Sequence, residues 1–71
     1  MNRIPVSSSN LASVGYDRTT QALEIEFLHG GVYQYSDVPS SIYDTLIAGD
    51  FRDTYFDRYV KKAGYSYQKI C

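Results

Sequence analysis

Between Leu23 and Phe27 apolar and acidic residues alternate without a break: Leu23, Glu24, Ile25, Glu26, Phe27. Successive side chains of an extended chain point to opposite sides, so this run has one apolar face and one charged face. That is the pattern of a strand in a half-buried sheet. Such a strand cannot stand alone, because it needs hydrogen-bonded neighbours on its edges and a cover on its apolar side. The flanking residues supply neighbours. Ala12, Val14 and Tyr16 alternate with Leu11, Ser13 and Gly15, and Val32-Tyr33-Gln34-Tyr35 follows His29-Gly30-Gly31. Asp17-Arg18-Thr19-Thr20-Gln21 joins the first two strands as turn chemistry, since Asp and Thr side chains bond nearby backbone.

Parity predicts the register. A three-residue loop at His29-Gly30-Gly31 pairs Phe27 with Tyr33 and Ile25 with Tyr35, leaving Glu24, Glu26 and Gln34 on the other face. A two-residue loop would bury Gln34 instead, so the longer loop with a left-handed glycine is expected. Val14 and Tyr16 then face Ile25 and Leu23. The cover begins at Val38-Pro39, since proline suits a first helical turn. Ile42, Tyr43, Leu46 and Ile47 follow at helical spacing, with Gly49 as the stop. A second helix starts near Asp50 or Asp53, with Phe51, Tyr55 and Tyr59 as one stripe and Phe56, Val60 and Ala63 beside it. Gly64 ends that helix. Tyr65 to Ile70 alternates again, as an extended tail or a short C-terminal edge strand, and residues 1–8 form a polar N-terminal arm in which Pro5 keeps Ile4 extended. The expected fold is α+β: one domain over residues 1–71, a three-stranded antiparallel β-meander covered by two helices.

Little in the chain points to catalysis. His29, the single histidine, lies at a glycine-rich hairpin tip and reads as a turn residue. Glu24 and Glu26 share a strand face but have no apolar pocket to separate their pKa values, so they read as a solvated outer face. Ser7-Ser8-Ser9 has no recognisable base, and Gly30-Gly31 is too short to cradle a phosphate. Cys71 is the lone cysteine and stands at the end, so neither an internal disulfide nor a multi-cysteine zinc site is expected. No catalytic residue, metal or cofactor is anticipated. Polar Ser-rich residues follow Met1-Asn2-Arg3 where a signal peptide would be apolar, and no apolar run could span a bilayer, so a cytoplasmic protein is expected.

Tyrosine and charge point to binding. The chain has eight Tyr, three Phe and no Trp, and tyrosine suits both small cores and interfaces. All eight acids lie between Asp17 and Asp57, whereas Arg58, Lys61, Lys62 and Lys69 follow with no acid among or after them. The candidate partner-binding residues are therefore Arg58, Tyr59, Lys61, Lys62, Tyr65, Tyr67 and Lys69, where basic and aromatic residues interleave. Tyr33 and Tyr35, two apart on a strand, are either core or a stacking platform for bases, and the parity argument favours core.

In their order and spacing the residues resemble the KTSC domain, a family named after the lysyl-tRNA synthetase C-terminus. The resemblance runs through Val6, Ser8-Ser9, Leu11, Val14-Gly15-Tyr16-Asp17, Leu23-x-Ile25-x-Phe27, Gly31-x-Tyr33-x-Tyr35 and Val38-Pro39. It continues through Tyr43, Leu46, Ala48, Tyr55-Phe56, Val60 and Tyr65-x-Tyr67. It implies a small non-catalytic domain, found alone in bacteria and phages or appended to larger proteins, for which RNA binding has been suggested. The chain departs from the pattern at Phe51-Arg52-Asp53, where the family has a Ser-x-Gly turn, at Asp57 in place of Asn, and at Gln68 in place of Arg. Seven basic against eight acidic residues is a poor endowment for phosphate neutralisation. A protein partner is therefore expected ahead of nucleic acid. The resemblance, by analogy, turns that expectation toward bacterial RNA polymerase and transcription regulation, in a bacterial host cytoplasm if the chain is phage-encoded.

Overall fold

The computed structural model describes residues 3–49 and 52–71. The chain runs β1 (Arg3–Pro5), β2 (Leu11–Asp17), β3 (Ala22–Phe27), β4 (Val32–Tyr35), α1 (Ser40–Ala48), α2 (Arg52–Phe56) and β5 (Tyr67–Lys69). Helix α2 continues into a π-helical turn over Asp57–Lys61, marked by the Lys62 N–H donating to Asp57 O at 3.0 Å. The strands form one antiparallel sheet in the order β1-β2-β3-β4-β5. The class is α+β with two helices, as expected, but the sheet has five strands rather than three. Both additional strands are three residues long and wholly exposed, and only the C-terminal one falls where alternation, from Tyr65 to Ile70, allowed a strand. The arm expected over residues 1–8 thus contains strand β1, and the C-terminal tail resolves into an edge strand.

The first hairpin pairs Val14 with Ile25 and Tyr16 with Leu23. Its turn follows the local chemistry: the Thr19 N–H donates to Asp17 Oδ1 at 2.9 Å, and Gln21 takes the left-handed conformation at φ 59°. In the second hairpin Ile25 faces Tyr33 and Leu23 faces Tyr35, two residues out of the expected register. A slip of two preserves the faces. Its cause is a longer connection, in which the Phe27 N–H donates to Gly31 O at 3.1 Å and the Gly30 N–H to Phe27 O at 3.0 Å. A second departure lies in β2. Leu11 pairs with Phe27 and Ser13 with Glu26, so Ala12 is the extra residue of a β-bulge. Plain alternation would turn Leu11 away from Val14, but the bulge brings both into the core.

That core joins Leu11, Val14, Leu23, Ile25 and Tyr35 of the sheet to Val38, Tyr43, Leu46, Phe56 and Val60 of the cover. Pro39 sits at the N-cap of α1 rather than within its first turn, and its carbonyl accepts the Ile42 N–H at 3.0 Å. Tyr43 stacks on Tyr16 at 5.2 Å, and the Tyr16 hydroxyl donates to the Val38 carbonyl, which ties β2 to the entry of α1. On α2 the two expected stripes divide by burial. Phe56 and Val60 are buried, whereas Tyr55 and Tyr59 stack on each other at 4.6 Å with Tyr59 exposed. The fully apolar ring of Phe56 goes inward over Tyr35 and Phe27, and the phenols keep access to water. Ala63 is exposed as well. Phe51, the third member of the expected stripe, lies outside the described residues, as does the helix–helix corner at residues 50–51.

The uncovered face of the sheet is less open than its charges suggest. Arg3, Gly15, Glu24, Gln34 and Gln68 lie in one cross-strand row. Glu24 is only 8% exposed, because β1 lays the Arg3 guanidinium against its carboxylate. Beside it the Ser13 hydroxyl donates to Glu26 Oε1 at 2.8 Å. The two glutamates, expected as a solvated face, are instead pinned by polar partners. Among the described residues no helix is long and apolar enough to cross a membrane.

Candidate partner-binding site

The helices cover β2, β3 and the inner side of β4 but leave the sheet incompletely covered toward β5. There the structure has a cleft of about 230 Å³ lined by Phe27, His29, Tyr33, Tyr35, Lys61 and Tyr67. Each wall has a distinct origin. Cross-strand register puts Tyr35 opposite Tyr67, and alternation turns both rings, with that of Tyr33, toward the helices. Phe27 closes the hairpin end, and His29, in the turn beyond β3, stacks on the Phe27 ring at 5.3 Å and nearly parallel. Lys61 descends from the π-helical turn of α2.

The aromatic contacts are extensive. Tyr33 meets Phe27 edge-on at 5.5 Å, and Tyr67 lies 5.3 Å from Tyr35 and 6.0 Å from Tyr33. Tyr35, 4% exposed, is held above the ordinary phenol pKa, first by desolvation and then by Tyr67 and Tyr33. It is therefore a neutral hydroxyl at the back of the cleft. Tyr67 is 62% exposed and forms the accessible lip. Such a surface offers ring faces, phenol groups, an imidazole and an ammonium to a guest that is apolar in one part and anionic in another. Among the described residues no group of His, Cys, Asp or Glu is placed to hold a metal ion.

The basic and aromatic residues singled out from the sequence divide between four places. Lys61 and Tyr67 line the cleft, and Lys69 stands on β5 opposite Tyr33. Arg58 and Lys62 border a separate shallow hollow with Thr54 and Asp57, where Lys62 pairs with Asp57 at 3.2 Å. Tyr59 is exposed and stacks on Tyr55, and Tyr65 is half-buried against the core. The basic tail is thus not one surface. Tyr33 and Tyr35 also differ from each other, since Tyr35 belongs to the core and Tyr33 is a half-buried cleft wall. Phe27 and His29 were not among the residues expected at a site. Their stacking arises in the turn that follows β3, a setting that concealed it in the sequence.

The KTSC domain model matches residues 7–65. An uncharacterized protein of Stutzerimonas stutzeri is 37% identical over 70 residues, which cover 99% of this chain and 99% of that protein. A protein of Tsukamurella paurometabola is 35% identical over 57 residues, covering 80% of this chain and 85% of its own length. Among solved structures, the crystal structure of a KTSC domain protein from Yersinia pestis superposes with a TM-score of 0.89 at 37% identity. That match covers 99% of this chain and 97% of the other.

Proposed function

The chain belongs to the KTSC domain family, and from that premise we propose that it is a small non-catalytic module that binds a protein partner at the aromatic cleft. One observation carries the reading: the exposed ring of Tyr67 and the half-buried ring of Tyr33 line an open cleft with Lys61, next to Lys69. Tyrosines held by neighbouring rings present contact area at low entropic cost, and they dominate interface energetics when a partner desolvates them. The lysines add orientation and encounter rate more than affinity.

The finer reading makes this a bacterial or phage-encoded regulator of the bacterial transcription machinery, with RNA polymerase as the first partner to test. It rests on analogy with the family's informational setting. A second reading, binding of single-stranded nucleic acid, is favoured by the same Tyr33–Tyr67 pair beside two lysines, because bases stack on such rings. The net charge of −1 weighs against it. Tagged protein retained on beads from bacterial lysate, with and without nuclease, separates the two. Protein retained in both conditions, with oligonucleotide binding that vanishes near physiological salt, is the expected result. Retention lost with nuclease, or salt-resistant binding of labelled oligonucleotides, would replace the first reading with the second.

A further inference from the structure

The two edges of the sheet are not alike. On β1, Pro5 removes a backbone donor and Arg3 is folded onto Glu24, two devices that blunt an edge. Strand β5 carries neither. Its alternation can be read from the neighbouring bonds: the Ile70 N–H donates to Val32 O at 2.8 Å, and the Ser36 N–H donates to Ser66 O at 2.8 Å. Ser66, Gln68 and Ile70 therefore turn their backbone groups toward β4. Tyr67 and Lys69, the intervening residues, turn theirs off the sheet. The same two residues send their side chains to the covered face, one into the cleft and one along the hairpin tip toward Gly31.

Resting on the protein-partner reading above, we infer that β5 is the docking edge for an extended acidic segment of the partner, which adds as a sixth strand. Charge complementarity selects the occupant. Lys61 and Lys69 have no ion-pair partner among the described residues, and both border the path of an added strand. The N–H and C=O groups of Tyr67 and Lys69 supply the ladder bonds, and alternate side chains of the guest supply specificity. Period two puts the guest residues opposite Tyr67 and Lys69 two positions apart on one face. The first is apolar or aromatic and enters the cleft over Tyr67, Tyr33 and Phe27. The second is Asp or Glu and pairs with Lys69. A second copy of this chain fits less well, because two β5 edges would set Lys69 beside Tyr67 and supply no acid.

The probe is a fluorescein-labelled decapeptide in which Glu and Phe alternate along one face and Ser fills the other, measured by anisotropy against the full chain. Its control carries Lys in place of Glu. The Glu peptide is expected to bind about tenfold or more tighter than the control. Lys69→Gln removes the charge alone and is expected to weaken binding about threefold, whereas Lys69→Pro also removes an outward donor and is expected to weaken it about tenfold or more. Pro at this position leaves the ladder to β4 intact, and thermal melts check that both variants fold. Tyr67→Ala provides a second route to loss of binding if Lys69→Pro does not fold. Equal binding of both peptides, or full binding by Lys69→Pro, overturns the edge-strand inference, as does a dimer in light scattering that Lys69→Pro dissolves. The two readings fail separately. Nuclease-resistant capture of a protein that Lys69→Pro leaves unchanged sinks only the edge strand, whereas capture lost with nuclease sinks the reading beneath it.

Discussion

Ile25 and Phe27 stand two positions apart on one strand and one face, yet their surroundings differ. Ile25 has no exposed surface and lies in the core, while Phe27 is half-buried at the rim, one wall in the cleft. Ile25→Ala is therefore expected to cost about 2–5 kcal/mol, close to the whole stability of so small a domain. Phe27→Ala should cost less and alter binding more, and urea titrations of both variants give the comparison. Tyr35 carries the pH dependence. Its phenol pKa is raised in the fold by desolvation, so the folded state holds that proton more tightly than the unfolded chain does. The stabilisation is complete below the unfolded value of about 10 and is lost as pH rises through the raised value. Tyr16 shifts in the same direction, again first by desolvation. Melting temperature should therefore fall in strongly alkaline buffer, and Tyr35→Phe should shallow that fall while leaving neutral-pH stability nearly unchanged.

At the scale of elements, β2, β3, β4 and α1 were legible because each carries its own periodicity. The Leu23–Phe27 alternation and the Ile42, Tyr43, Leu46, Ile47 spacing need no distant contact to be read. Strand β5 was legible only as an alternative, from the alternation of Tyr65 to Ile70, and β1 was not legible, since all its residues are exposed and its order comes from hydrogen bonds to β2. The Ala12 bulge was hidden because one inserted residue leaves the alternation on either side intact. Two stripes on α2 stood side by side with neither marked as the inward one, and the fold turns Phe56 and Val60 to the core. At the site, Tyr33, Tyr67 and Lys61 were legible as residue types, but their meeting in one cleft depends on β5 pairing with β4. The hairpin tip offers a test of local geometry. Gly31 holds φ at 90°, and a Cβ there would lie 3.4 Å from Tyr33 Cε1 and 3.6 Å from Lys69 Cε. Gly31→Ala should cost about 1–2 kcal/mol for the left-handed backbone, read by denaturant titration.

For the molecule as a whole, charge separates by position. Lys61 and Lys69 accompany the cleft, whereas Lys62 already has Asp57 beside it. Lys61→Glu combined with Lys69→Glu should slow association with a protein partner and lessen its salt dependence, which surface plasmon resonance at two ionic strengths would show. The fold should tolerate the change, because exposed charges contribute little to stability. Chain order has a kinetic consequence. Every strand pairs with the strand next to it in sequence, but the β4–β5 pairing closes over a much longer connection, which carries both helices. Short closures come first and the long one last, since closing a longer loop costs more entropy. Substitutions in β5 should therefore speed unfolding and leave the refolding rate nearly unchanged, whereas those in the β2–β3 hairpin should slow refolding. The edge that we assign to a partner is thus the final piece of the domain to assemble, and a chain interrupted before residue 67 would have most of the cleft's aromatic rings but no strand on which a guest could dock.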